Sequence, residues 1–64
     1  MKRKELERHL RAHGCIFDHH GGNHDLWRNP SNNKKSPIPR HAVLKRGTAR
    51  GICAILGVPK PPGL

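Results

Sequence analysis

The chain has 64 residues, with 13 lysines and arginines against 4 aspartates and glutamates, a formal net charge of +9. That length makes one domain at most and buries only about 60% of the surface the unfolded chain exposes, so stability is marginal and a bound partner would help. Cys15 and Cys53 lack CxxC spacing, which excludes a disulfide framework or a four-cysteine zinc site, and no apolar run approaches the roughly 20 residues of a membrane span. The N-terminal Met1-Lys2-Arg3-Lys4-Glu5 leads into a charged helix rather than an apolar signal core, which points to the cytoplasm. A field this positive favours a polyanion or an acidic protein over a small neutral substrate.

Residues 2–13 are good helix formers, with Leu6, His9, Leu10 and His13 spaced along one face and Gly14 placed to end the helix. The apolar stripe is thin, so this helix needs a larger surface to lie on. Residues 15–20 and 23–29 read as two antiparallel strands joined across Gly21-Gly22, a pair able to take the positive φ values of tight hairpins. A two-residue loop there sets His19 opposite His24, Phe17 opposite Leu26 and Ile16 opposite Trp27. One face then carries Phe17, His19, His24 and Leu26 and is expected to meet the helices; the other carries Ile16 and Trp27 among Asp18, His20, Asn23 and Asp25. A bulge or a longer loop would exchange the faces.

Residues 30–35 are turn chemistry with two lysines. Ser36-Pro37-Ile38-Pro39 is a brief extended piece whose prolines confine it to a sheet edge. Residues 40–47 form a basic connector in which Val43 and Leu44 can plug the core. Ala49, Ile52, Cys53 and Leu56 mark a second, stronger amphipathic helix over 48–56, stopped by Gly57 and Pro59. Residues 1–58 therefore make one domain, and 59–64 a proline-rich mobile tail. The order helix-strand-strand-strand-helix predicts an α+β fold, a three-stranded antiparallel sheet with both helices on one face.

Three constellations could carry chemistry. Histidine titrates near neutrality, so His24 could move protons at a ribose hydroxyl or a leaving 5′ oxygen. RNA cleavage by its own 2′-OH needs proton transfer, phosphate neutralisation and in-line positioning, and no metal in principle. Cys15, His19, His20 and His24 have zinc-ligand chemistry, but the hairpin points His19 and His20 to opposite faces and sets Cys15 far from the turn. Lys34, Lys35, Arg40, His41, Lys45, Arg46 and Arg50 could line a phosphate track. Trp27, the only tryptophan, could be core, a base-stacking platform or a hot spot for a protein partner.

His13-Gly14-Cys15, Gly21-Gly22-Asn23-His24, Trp27-Arg28-Asn29-Pro30, Ile38-Pro39-Arg40-His41, the run from Leu44 to Cys53, and Leu56-Gly57 together resemble the HicA-type mRNA interferase toxins. The resemblance covers nearly the whole chain. It implies a small double-stranded-RNA-binding-domain-like fold and a role as toxin of a type II toxin-antitoxin module, an endoribonuclease without metal or cofactor whose single catalytic histidine matches His24. RNA would lie on His19, Lys34, Lys35, Arg40, His41, Lys45 and Arg46. A HicB-type antitoxin would cover His24, Trp27, Arg28 and Arg40, and would carry the complex to operator DNA through its own DNA-binding part. The family often has Gly-Ser-His where this chain has Gly22-Asn23-His24, and an arginine at the position of His19. A non-catalytic RNA-binding module using the same basic face, and a structural zinc domain, are the competing readings.

Overall fold

The computed structural model describes residues 1–64. Its elements follow in the order α1 (Arg3–Ala12), β1 (Ile16–His20), β2 (His24–Asn29), β3 (Lys34–Pro39) and α2 (Arg46–Leu56). The strands form one antiparallel sheet with β2 in the centre. This is the α+β arrangement expected from the sequence.

Both helices end on glycine. After α1, Gly14 takes φ 85° and the Cys15 N–H donates back to the Leu10 carbonyl at 2.9 Å. After α2, Gly57 takes φ 73° and the Val58 N–H donates to the Cys53 carbonyl at 3.0 Å. These are the left-handed closures that satisfy otherwise orphaned carbonyls. The start of α2 differs from expectation: Arg46 and Gly47 are already helical, so tertiary context overrides the poor helix propensity of Gly47.

The helices cover the sheet with Leu6 and Leu10 from α1 and Ala49, Ile52, Cys53 and Leu56 from α2, joined by Cys15, Trp27, Ile38 and Leu44. The expected hairpin register is wrong, and with it the expected buried face. Gly21 N–H donates to the His24 carbonyl at 2.8 Å, which makes Gly22-Asn23 the loop, and neither glycine of the pair has positive φ. His19 therefore lies opposite Leu26, not His24, and His20 opposite Asp25. A bulge at Asp18 then shifts the ladder, so Phe17 pairs with Trp27 and Ile16 with Arg28. The helix-facing side is the Trp27 side: Trp27 is 1% exposed, while Phe17 and Ile16 at the β1 edge are 41% and 42% exposed. Burying the indole removes more apolar area from water than burying Leu26 would, which decides the face. The Phe17 and Trp27 rings stand edge to face with centroids 6.4 Å apart, and the Arg11 guanidinium lies over the indole, 5.0 Å from its centroid.

β3 begins at Lys34, two residues before the expected start, and occupies the edge its prolines require. The β2–β3 turn caps α2: the Asn29 and Asn32 amides both donate to the Leu56 carbonyl, at 2.7 and 3.0 Å. At the other side of the molecule the Met1 ammonium donates to the Leu44 carbonyl at 2.9 Å, and Lys2 bridges Val43. Residues 59–64, expected to extend away, lie back on the helices: His9 Nε2–H donates to the Pro59 carbonyl at 2.7 Å, Pro61 is buried, and Leu64 packs against the core.

Candidate functional site

His24 opens β2 directly after the hairpin loop. Strand alternation puts it with His19, Leu26 and Arg28 on the open face of the sheet, and its cross-strand neighbour is Pro39. Its ring lies over Gly21. A Cβ at Gly21 would come within 3.1 Å of His24 Nε2 and 3.0 Å of the His24 carbonyl oxygen. A side chain at the first glycine of the pair would crowd the His24 ring and carbonyl, so its use there is close approach rather than dihedral freedom.

Arg40 fixes this turn. Its guanidinium donates to the Gly21 and Gly22 carbonyls at 2.9 Å, to the His24 carbonyl at 3.2 Å, and to Asp25 Oδ1 at 2.9 Å. His20 Nδ1 meets the same Asp25 oxygen at 2.8 Å. The His20 hydrogen bond, then Arg40, holds the Asp25 carboxyl below the usual carboxylate range. Asp18 is the second hub: His19 Nδ1 at 2.8 Å, Arg28 at 3.5 Å and Lys35 at 3.8 Å surround it. Its carboxyl is likewise lowered, first by the His19 hydrogen bond and then by the cations.

Beside His24 the surface opens into a cavity of about 450 Å³ lined by Asn23, His24, Pro37, Pro39, His41 and Thr48. Pro37 and Pro39 reach it because alternate residues of a strand share a face. Its only titratable side chains are the two imidazoles. Neither ring makes an intramolecular hydrogen bond, whereas His9, His19 and His20 each make one.

The residues singled out in the sequence are thus distributed unevenly. His24 and His41 share the cavity. His19, Arg28 and Lys35 gather around Asp18 on the open face. Lys34 is exposed opposite Asn29, at the far end of β3 from His24. Lys45 precedes the first turn of α2, Arg46 within that turn donates to the Gly63 carbonyl at 3.3 Å, and Arg50 is exposed further along. Trp27, read as a contact for the antitoxin, is buried and presents no surface to one; its place in the helix-facing ladder makes it the centre of the core. Pro37 and Thr48 were not among the sequence candidates. The i, i+2 spacing of the prolines was the available signal, whereas Thr48 depends on how α2 docks.

Cys15 and Cys53 are both core residues whose thiols burial pushes up, Cys53 further by its neighbour Cys15. No three His, Cys, Asp or Glu side chains stand close enough together to hold a metal ion. No helix is long and apolar enough to cross a membrane.

No curated protein and no solved structure matches the chain significantly. The model of the HicA toxin of bacterial toxin-antitoxin systems does match, over residues 3–58, from the first residue of α1 to the residue after Gly57. Spanning every element of the fold, that match means the chain belongs to the HicA toxin family.

Proposed function

We propose that this toxin is a metal-independent endoribonuclease that cleaves mRNA with His24 as its proton-transfer residue and is neutralised by a HicB-type antitoxin in the cytoplasm. The observation that carries the reading is the position of His24: at the rim of an open cavity, its imidazole free of intramolecular hydrogen bonds, on a sheet face bearing Arg28 and Lys35. Attack by a ribose 2′-OH must release a proton and departure of a 5′ oxygen must gain one, and an imidazole with no competing intramolecular partner is suited to such a transfer.

The RNA backbone is assigned to His19, Lys34, Lys35, His41, Lys45 and Arg46, which all lie at the surface. Arg40 contributes differently. With Nε, Nη1 and Nη2 already donating to the hairpin loop and Asp25, it holds the loop in place, and only its outer edge is open to a phosphate or a partner carboxylate. The antitoxin is assigned His24, Arg28 and Arg40, so that one acidic surface masks the cavity together with cations of the open sheet face and the connector. Operator DNA is reached through the antitoxin.

The zinc alternative loses its support because Cys15 lies in the core while His19 and His24 occupy the open face. His24→Ala tests the proposal. The variant should keep its Trp27 fluorescence and unfolding curve, lose about 10²- to 10⁴-fold in RNA cleavage, and no longer arrest growth. Retained toxicity in a folded variant would sink it. RNA binding without cleavage, whichever residue stands at position 24, would identify a non-catalytic RNA-binding module instead.

A further inference from the structure

We propose that His41 is a second proton-transfer residue of the cavity, acting with His24 as an acid-base pair on one phosphodiester. The inference rests on the endoribonuclease reading and adds a catalytic group to it. Its structural basis is that the basic connector brings His41 to the wall of the same cavity that His24 and the prolines of β3 line. The cavity volume of about 450 Å³ suits a phosphodiester with parts of its flanking sugars, falling in the ordinary range of small-ligand sites, about 300–1,000 Å³.

The chemistry asks for two groups. As the 2′ oxygen bonds to phosphorus, its proton must leave; as the bond from phosphorus to the 5′ oxygen breaks, that oxygen must gain a proton. One imidazole cannot accept and donate in the same concerted step, whereas a neutral one and a protonated one facing a single phosphate can. The first takes the 2′-OH proton, the second protonates the 5′ oxygen, and the products are a 2′,3′-cyclic phosphate and a 5′-hydroxyl end. Exchange with water restores both rings.

No other side chain lining the cavity can take either part: Asn23 and Thr48 do not titrate near neutrality, and the prolines carry no proton. The nearest carboxylate along β2, Asp25, is tied to His20 and Arg40; Asp18 is surrounded by His19, Arg28 and Lys35; Glu5 and Glu7 belong to α1. Lys45 and Arg46 on the α2 side and Arg40 on the connector are the cations nearest in sequence to His41.

The test uses the full chain, an RNA bearing a cleavage site mapped with the wild type, and the same RNA with sulfur replacing the 5′ oxygen at that linkage. The wild-type profile of kcat/KM against pH should be bell-shaped. His41→Ala and His24→Ala should each lose about 10²-fold or more in kcat and one limb of the bell. The sulfur leaving group departs without protonation, so it should restore one of the two variants and not the other. His41 is exposed, and unchanged Trp27 fluorescence will show that the variant folds; His41→Gln replaces it if it does not. A His41 variant that keeps both limbs and changes only KM makes His41 a phosphate contact and overturns the inference alone. Failure of the wild type to cleave any RNA overturns the nuclease reading with it.

Discussion

Gly57 answers to two separate demands. Its left-handed φ of 73° costs a side-chain-bearing residue about 1–2 kcal/mol, and a Cβ there would meet Asn32 Nδ2 at 2.7 Å. Gly57→Ala should therefore destabilise the protein by about 2 kcal/mol in urea unfolding, with strain and the displaced Asn32 cap acting together. Asp25 shows electrostatics at the same scale. Because His20 and Arg40 lower its carboxyl in the folded state, its stabilising contribution is present above the unfolded carboxylate value, about 3.9, and is lost as pH falls through the lower folded value. Asp25→Asn should remove that dependence: the variant is less stable than wild type at pH 7, and the gap closes below about pH 4. Thermal unfolding at stepped pH measures it, and a gap that persists in acid would assign the loss to lost packing instead.

At the scale of the elements, the sheet is organised by Trp27. Phe17 edges the indole, Arg11 covers it, and residues from both helices close around it. Trp27→Ala should cost about 3–5 kcal/mol, which is comparable to the whole stability of a small domain, so far-UV circular dichroism should show a largely unfolded chain at 37 °C. Trp27→Phe, which keeps an aromatic filling, should remain folded. The two helices and three strands could be read from the chain because helical spacing, two C-terminal glycines and the paired prolines of β3 are local signals. The register could not. A bulge at Asp18 has no composition of its own, and Gly21-Gly22 looks like a loop although Gly21 pairs with His24. Two small departures from ideal pairing were enough to set Phe17, rather than Ile16, opposite Trp27.

At the scale of the whole molecule, charge dominates. The two carboxylates of the sheet, Asp18 and Asp25, are already enclosed by histidines and cations, leaving most of the +9 facing solvent. If about five phosphates are neutralised, log affinity for single-stranded RNA should fall with log salt at a slope of roughly −3.5. A fluorescence-anisotropy titration of the His24→Ala variant across salt concentrations reads that slope without cleavage, and a slope near zero would remove the phosphate track. The role proposed for His24 rests on the run of short motifs in which it stands. Its neighbour His41 was legible only as one more basic residue, because the two are joined by the docking of the connector and not by spacing in the chain.

Arg40 behaves as a chelator of the backbone. Three carbonyls and a carboxylate converge on one planar cation, so releasing any single contact frees nothing while the others hold. The gap between the loop bearing His24 and the connector bearing His41 is thereby set by a surface guanidinium next in sequence to His41, independently of how the interior is filled. Lysine, with one compact ammonium, cannot span the same ligands. Arg40→Lys should accordingly leave the melting temperature within a few degrees of wild type while RNA cleavage falls steeply, separating the rigidity of the site from the stability of the fold.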